Sequence, residues 1–179
     1  MPPVSDDLSQ TAAVQQRVAD VYSAARDGVF RYLLALGLGA AGAQEVTQDA
    51  FLRLYVALRD GAAIEDPKAW VYRVARNAGV DSLERIGRES PYFAAIADTI
   101  ASFAKDPEQE LIEKEWLEGF QNAIKSLSPQ QQACLELRGQ GLQYWQIAEV
   151  LQVRTSTVGE FLRRGIKQLK RWNERWKKP

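Results

Sequence analysis

The sequence contains no histidine, and Cys134 is its only cysteine. Histidine is the most common general base in enzymes and a frequent metal ligand, so its absence counts against both kinds of site. A single cysteine cannot form an internal disulfide, which is typical of a protein of the reducing cytoplasm. We therefore expect a cytoplasmic protein that is not an enzyme and holds no metal or other cofactor.

Long apolar runs are also missing from the sequence. No stretch reaches the roughly 20 apolar residues that a membrane-spanning helix needs, and the polar, acidic start MPPVSDDLSQ does not resemble a signal peptide. No segment alternates between apolar and polar residues as a half-buried strand would. The sequence thus predicts an all-α protein without membrane insertion.

The net charge is zero, with 23 basic and 23 acidic residues, but the two signs are separated along the chain. Residues 91–117 carry a net charge of −4 and residues 118–179 a net charge of +6. Helical periodicity, with breaks at proline and glycine, predicts two small helical domains joined by a flexible acidic linker. The predicted divisions are a disordered tail at 1–13, a first domain at 14–90, a linker at 91–110 and a second domain at 111–179.

A helix predicted to begin near Ala43 has two very different sides. Apolar residues such as Phe51 and Leu54 recur at helical spacing and predict its buried side. The pattern alone leaves open whether the opposite side is merely exposed to solvent or binds a partner. That polar side carries Gln44, Glu45, Gln48, Asp49 and Arg53.

The next predicted helix follows a loop and starts at an Asp66–Pro67 pair, in which Asp66 can cap the helix. Its pattern places Trp70 in the core and Tyr72 on the surface. Aromatic and basic residues interleaved on one helix can stack on unpaired bases and hold phosphates, although such a surface is also often only solvated. The polar residues of this surface include Arg73, Arg76, Asn77 and Asp81.

The stretch from Leu142 to Lys170 has the outline of a helix-turn-helix, because two short apolar faces are separated by a break at Gln152 and Val153. Thr155 or Ser156 is expected to cap the second helix. An ordinary amphipathic helix pair would show the same pattern. The net charge of +7 over residues 154–178 favours DNA binding, since phosphates attract such a surface.

Taken together, these motifs resemble the extracytoplasmic-function (ECF) group of bacterial RNA polymerase sigma factors, over roughly Val21 to Arg171. AQEVTQDAFLRLY resembles the region 2 helix that binds core polymerase, and DPKAWVYRVARNAGVDSL resembles the helix that melts and reads the minus-ten element. SLSPQQQACLELRGQGLQYWQIAEVL with STVGEFLRRGIKQL resembles region 4, which reads the minus-thirty-five element.

The resemblance implies a role for each set of residues. Core RNA polymerase would bind Gln44, Glu45, Gln48, Asp49 and Arg53. The minus-ten DNA would contact Trp70, Arg73, Arg76, Asn77 and Asp81, with the loop from Arg59 to Asp66 beside the flipped base. The minus-thirty-five duplex would contact Arg154, Thr155, Ser156, Thr157, Glu160, Arg163, Arg164 and Lys167. It also implies promoter DNA and an anti-sigma factor as partners, and we expect a monomer when the protein is free.

The sequence departs from the family pattern at several positions. Gly159, Glu160 and Phe161 stand where family members commonly carry a basic residue, a serine and an arginine, and Gln143 replaces a capping serine. Glu160 is expected to repel phosphate, although a carboxylate can accept from the cytosine amino group.

Two other functions fit parts of the sequence. A conventional helix-turn-helix regulator would use the first domain for dimerisation or sensing, and it would bind a two-fold DNA site. A helical adaptor that has lost DNA binding would explain Gly159, Glu160 and Phe161. The sigma factor interpretation accounts for both domains, so it is the leading hypothesis.

Overall fold

The computed structural model describes residues 4–86 and 107–176, and within these the side chains of residues 10–85 and 114–176. The chain divides into two compact units, Met1–Glu89 and Ser90–Pro179, here called the N-terminal and C-terminal units. The described residues form helices without strands, so the predicted all-α class with two small helical domains is confirmed. None of these helices combines the length and apolar character that crossing a bilayer requires.

Within residues 4–86 and 107–176, the N-terminal unit has three helices and the C-terminal unit has four. The first three are α1 (Val4–Leu36), α2 (Ala40–Arg59) and α3 (Pro67–Ile86). The other four are α4 (Pro107–Lys125), α5 (Pro129–Gly139), α6 (Tyr144–Leu151) and α7 (Thr155–Trp176).

Helix α1 begins earlier than the sequence pattern suggested. Residues 4–13 were expected to belong to a disordered tail, yet α1 is helical from Val4. No glycine or proline occurs between Val4 and Asp27, so no strong breaker interrupts the backbone before the apolar periodicity starts. The prediction was wrong because it equated the start of the apolar stripe with the start of the helix.

Helix α1 ends at a glycine. Gly37 has a φ of +114°, a conformation that side chains with a Cβ rarely adopt. The Gly37 N–H donates to the Leu34 carbonyl at 3.0 Å, and the Leu38 N–H donates to the Leu33 carbonyl at 3.1 Å. This pair of bonds is a Schellman motif, which satisfies the last carbonyls of α1 and turns the chain into α2.

The core of the N-terminal unit lies where all three helices meet. Val29 and Leu33 of α1, Leu54 of α2 and Val71 of α3 are fully or almost fully buried. Each such side chain contributes about 1.5–3 kcal/mol relative to an exposed one. The close approach of α3 to α1 depends on Gly79, where a Cβ would lie 2.9 Å from Leu33 Cδ2.

The burial of Tyr72 shows that the predicted orientation of α3 was wrong. It was placed on the exposed surface, but it is 1% exposed and its ring meets that of Tyr32 edge-on, with centroids 6.0 Å apart. Ala69, Ala75 and Gly79 share its side of the helix, and all three are small enough to let α1 approach. The buried stripe of α3 is therefore rotated from the one read off the large apolar residues.

The start of α3 matches the predicted capping. The Ala69 N–H donates to Asp66 Oδ1 at 3.0 Å, with Pro67 as the first helical residue. Arg17 of α1 donates through Nη2 to the Ile64 carbonyl at 2.7 Å. This hydrogen bond connects the loop before α3 to α1 and restrains one side of the loop.

In the C-terminal unit, α4 begins at Pro107, so residues 107–110 are helical although they were assigned to the linker. Proline has no N–H to lose at the first helical position, which makes it a frequent start residue. The rest of the predicted linker, residues 91–106, lies outside the described residues.

A capping box starts α5, and the side chain of Gln132 joins this helix to the end of α4. Ser128 Oγ accepts from the Gln131 N–H at 3.3 Å, and Gln131 Oε1 accepts from the Ser128 N–H at 2.9 Å, forming the capping box of α5. Gln132 Nε2 donates to the carbonyls of Ile124 at 3.0 Å and Leu127 at 2.9 Å. Carbonyls at the end of α4 are thereby satisfied by a side chain of the next helix.

The core of the C-terminal unit includes Cys134, which is completely buried. Burial raises the pKa of its thiol to about 11, so the group stays protonated and behaves as a small apolar residue. Leu137, Ile147 and Leu162 pack in the same core. Gly165 brings α7 close to α5, since a Cβ there would lie 3.2 Å from Leu135 Cδ1.

The turn between α6 and α7 is fixed by a left-handed residue. Gln152 has a φ of +56°, and the Val153 N–H donates to the Ala148 carbonyl at 3.0 Å. Helix α7 starts at Thr155, so the cap position belongs to Arg154, whose carbonyl accepts from the N–H groups of Thr157 and Val158. The expectation that Thr155 or Ser156 is the cap residue was therefore wrong by one or two positions.

Candidate nucleic-acid and protein interfaces

The polar residues predicted on α2 all lie on its side away from the core. Gln44, Glu45 and Gln48 are exposed, and Arg53 Nε pairs with Asp49 Oδ2 at 2.8 Å across one helical turn. We call these five residues, with Leu52 and Val56, the α2 face. The ion pair neutralises two of its charges locally, which leaves a polar surface of low net charge.

Leu52 and Val56 are the residues of the α2 face that the sequence reasoning missed. Leu52 is 61% exposed and Val56 37% exposed, four positions apart on the same side as Glu45 and Asp49. The sequence contained a signal for their exposure, because neither residue fits the helical spacing of the buried Phe51, Leu54 and Leu58. Exposed apolar residues surrounded by polar ones are typical of the centre of a protein interface.

A groove of about 250 Å³ borders the α2 face where α1 passes it. Gln44 and Gln48 line one side, and Tyr22 and Arg26 line the other. The Arg26 guanidinium lies 5.8 Å from the Tyr22 ring centroid and pairs with Asp27 at 2.9 Å. The groove therefore adds an aromatic ring and amide groups beside the predicted interface.

Four of the five contact residues predicted on α3 share one face of the helix, and the fifth lies beside it. Trp70, Arg73, Asn77 and Asp81 follow one another at three- and four-residue spacing, so they lie on one face of the helix. Asn77 and Asp81 are exposed, and Arg73 is half-buried. Arg76 lies at the side of this face, and its Nη1 is 3.5 Å from Asn77 Oδ1.

Trp70 is half-buried and shares the exposed face of α3, so the prediction that it is a core tryptophan was wrong. The buried stripe of α3 runs instead through Ala69, Tyr72 and Ala75. The loop before the helix, which the resemblance placed beside a flipped base, exposes Gly61 and Ala62. An aromatic ring, an amide and charged groups thus line one open side of this helix.

On α7, the predicted contact residues are largely exposed, except Thr157 and Glu160, which are half-buried. Ser156, Glu160, Arg163 and Lys167 recur at three- and four-residue spacing and therefore share one face. Farther along the helix, a groove of about 470 Å³ continues this cationic surface. It is lined by Gln131 of α5 with Arg164, Lys167, Gln168, Arg171 and Arg175 of α7.

Glu160 binds two of the predicted arginines. Arg163 Nη2 donates to Glu160 Oε1 at 2.8 Å, and Arg164 Nε donates to the same oxygen at 2.7 Å. Arg163 also donates through Nε and Nη2 to Glu160 Oε2, at 3.1 and 2.9 Å. The Arg163 hydrogen bonds, with Arg164, hold the pKa of the Glu160 carboxyl below its ordinary value.

Two exposed aromatic residues at the start of α6 were also missed. Tyr144 is 44% exposed, and its ring would be 3.9 Å from a Cβ at Gly159. The Arg138 guanidinium lies 5.8 Å from the centroid of the same ring. Trp145 donates through its indole N–H to Gln143 Oε1 at 2.8 Å. The surface beside Gly159 is thus bordered by a tyrosine ring.

A third surface joins α4 to α7 through aromatic rings. Trp116 and Phe120 stack with centroids 5.1 Å apart, and Trp172 contacts both at 5.8 and 5.7 Å. Trp172 also fits closely against Gly119, where a Cβ would lie 3.0 Å away. Trp116 and Trp176 remain partly exposed at its edge. Over the described residues, no group of three or more acidic, cysteine or histidine side chains is placed to hold a metal ion.

Two family models match this chain, and together they cover most of it. Residues 21–89 match Sigma-70 region 2, and residues 117–169 match Sigma-70, region 4. The RNA polymerase sigma-H factor of Pseudomonas aeruginosa is 30% identical over 128 residues, which cover 66% of each chain. The ECF RNA polymerase sigma factor SigE of Mycolicibacterium smegmatis is 27% identical over 149 residues.

The chain belongs to the sigma-70 family, in its ECF group. The match with SigE covers 80% of this chain and 56% of that protein, so the chain spans between about half and two thirds of the length of these two relatives. Region 2 of this ECF family member lies in the N-terminal unit, with α2 and α3. Region 4 lies in the C-terminal unit, with α6 and α7.

A solved structure shares the fold of this ECF family member. The sigma factor RpoE from Bartonella quintana, solved in complex with the anti-sigma factor NepR, has a TM-score of 0.59 at 20% sequence identity. The similarity covers 89% of this chain and 96% of that one. At this identity, the comparison establishes the helical fold.

Proposed function

We propose that this chain is an alternative sigma factor, a protein without enzymatic activity that binds core RNA polymerase in the cytoplasm and directs promoter recognition and transcription initiation. The observation that carries the proposal is a contrast between two exposed helix faces. The α2 face is apolar at its centre and nearly neutral, whereas the exposed face of α7 is strongly cationic. The first suits a protein partner, and the second suits DNA phosphates.

Core polymerase would bind the α2 face. Leu52 and Val56 supply an apolar centre, and Gln44, Glu45 and Gln48 supply a polar rim, which is the usual anatomy of a specific interface. The neighbouring groove of about 250 Å³ offers a place for a side chain of the partner.

The exposed face of α3 would act on the minus-ten DNA. Trp70 offers a ring for stacking, Asn77 offers an amide that can bind a base edge, and Arg73 offers a cation for the backbone. Opening a duplex requires that a base be held outside the stack, and the exposed loop before α3 leaves room for one.

Helix α7 would lie in the major groove of the minus-thirty-five duplex. It follows the short helix α6 across a tight turn, and its first turns expose Thr155, Ser156 and Arg163. The cationic groove that includes Arg171 and Arg175 would follow the phosphate backbone.

We also propose an anti-sigma factor as a regulatory partner. RpoE of Bartonella quintana was solved with such a protein, and both units of this chain expose apolar side chains such as Leu52 and Trp116. Free of its partners, the chain is proposed to be a monomer.

The proposal is tested by reconstituted transcription with core polymerase. Gln48→Lys, which places a cation on the α2 face, should weaken association with core polymerase about tenfold, as measured by fluorescence anisotropy. Asn77→Ala should leave that association unchanged and slow promoter opening about tenfold, as measured with a fluorescent base at the minus-ten element.

Equal loss of association and opening in both variants would contradict the assignment of separate roles to α2 and α3. Failure of the native chain to bind core polymerase at micromolar concentration would overturn the sigma factor proposal. A stable dimer that binds a two-fold DNA site without polymerase would favour a conventional helix-turn-helix regulator instead.

A further inference from the structure

We propose that Glu160 is a specificity-determining residue of α7. By holding Arg163 and Arg164 against the helix, it weakens their attraction to the phosphates of unselected DNA. The inference rests on the proposed binding of α7 to promoter DNA. It adds a role for a carboxylate that stands where the family pattern has a serine.

The contacts of Glu160 use both of its oxygens. Oε1 accepts from Arg163 Nη2 at 2.8 Å and from Arg164 Nε at 2.7 Å, while Oε2 accepts from Arg163 at 2.9 and 3.1 Å. The pair with Arg163 is therefore the two-pronged arrangement in which a guanidinium is most firmly oriented. Both arginines direct a donor at the same carboxylate, while most of each side chain remains exposed.

The position of Glu160 makes these contacts relevant to DNA. Ser156, Glu160, Arg163 and Lys167 lie on one face, and Glu160 is near its centre in the first turns of α7. Those turns carry the base contacts in a helix-turn-helix. The other carboxylate of α7, Glu174, lies farther along the helix. The cluster of one carboxylate and two guanidinium groups keeps only part of the positive charge of the two arginines.

Specificity follows from competition for the arginines. To bind a DNA phosphate, Arg163 or Arg164 must give up or share its hydrogen bonds with Glu160. This lowers the binding free energy gained from a phosphate contact, which carries no sequence information. At a correct site, contacts between the same arginines and base edges offset that loss. Glu160 would thus reduce binding to random DNA more than binding to the promoter.

The test compares Glu160→Gln with Glu174→Gln in the full-length chain. Both variants remove one negative charge from α7, but only the first removes the carboxylate that binds Arg163 and Arg164. Binding to a fluorescent random-sequence duplex is measured by anisotropy between 25 and 200 mM salt, where each added phosphate contact steepens the log–log slope by about 0.9. The same measurement is made on a duplex selected from a random pool by the native chain.

Glu160→Gln is expected to steepen the slope on random DNA by about 0.9–1.8 and to tighten binding about 3- to 10-fold at 50 mM salt. Binding to the selected duplex should change less, so the ratio of the two affinities should fall. In a chain that also carries Arg163→Gln and Arg164→Gln, Glu160→Gln should have no more effect than Glu174→Gln. Circular dichroism checks that the exposed substitutions leave the helices intact.

Equal slopes and affinities for Glu160→Gln and Glu174→Gln would overturn the role of Glu160 while leaving DNA binding by α7 in place. A full effect of Glu160→Gln in the chain without the two arginines would overturn it too. Absence of salt-dependent binding in the native chain and in Glu160→Gln would overturn DNA binding by α7 itself, and the inference with it.

Discussion

The two units differ in how they pair their exposed charges. In the N-terminal unit, Arg26 pairs with Asp27, Arg53 with Asp49 and Arg59 with Asp60, one cation to one anion. On α7 of the C-terminal unit, Arg163 and Arg164 share the single carboxylate of Glu160, and the cationic groove continues beyond them. One-to-one pairing on α2 leaves a surface suited to a protein partner, while unequal pairing on α7 leaves a surface that attracts polyanions.

The comparison also holds for the apolar surface. Leu52 and Val56 lie among polar residues, whereas Trp116 and Trp176 of the C-terminal unit belong to a cluster of rings that joins α4 to α7. The first arrangement does little for the stability of its own unit, because Leu52 has most of its surface in solvent. The second arrangement packs two helices against each other, so its main role is structural.

The largest effect should come from placing a charge at the centre of the α2 face. Leu52→Asp is expected to weaken association with core polymerase about 30- to 100-fold, because it removes an apolar contact and buries an unpaired carboxylate. Titration of labelled core polymerase measures it. Ala24→Asp, on an exposed position of α1, is the matched control and should bind normally. Equal weakening by the two variants would show that α2 is not the binding surface.

A smaller effect is expected in the packing of the N-terminal unit. Gly79→Ala places a methyl group 2.9 Å from Leu33 Cδ2 and 3.0 Å from Leu36 Cδ2, so α3 must move away from α1. We expect the free energy of unfolding of this unit to fall by about 1–3 kcal/mol, measured by chemical denaturation.

Gly39→Ala is the control for that substitution, since no atom lies within 4 Å of its added Cβ. Cys134 labelling, which reports on the C-terminal unit, should be unchanged in both variants. If Gly39→Ala destabilised the protein as much as Gly79→Ala, the close approach of α3 to α1 would not be the cause.

The smallest effect concerns the acid titration of Glu160. Its pKa is depressed, chiefly by Arg163, so the ion pair stabilises α7 above the pKa that the carboxyl has in the unfolded chain. That contribution is lost as pH falls through the lower pKa of the folded state. NMR titration of the side-chain carboxyl carbon should show a midpoint below that of an ordinary glutamate. Arg163→Gln should raise the midpoint, and an unchanged midpoint would show that the pair does not form in solution.

Features set by a few neighbouring residues were predictable from the sequence. The Asp66 cap of α3 was predicted from the Asp66–Pro67 pair, and the structure confirms it. The Ser128–Pro129 start of α5 and the stop of α1 at Gly37 depend on the same kind of local backbone chemistry.

Features decided by contact between helices were not predictable in the same way. Tyr72 is buried against Tyr32 of α1, which approaches α3 closely at Gly79, and no pattern of large apolar residues predicts such an approach. The same rotation brings Trp70 to the open face. The pairing of Glu160 with both arginines requires side-chain directions, which helical spacing permits without specifying.

Cys134 gives the molecule a reporter of its own motions. The thiol is enclosed by the second helical body and is the only one in the sequence, so a thiol reagent can modify it only when that body opens. The rate of modification therefore measures how often the C-terminal unit opens. The measurement needs no introduced label and receives no signal from the N-terminal unit. A partner that clamps this unit should slow the reaction in proportion to the stability it adds.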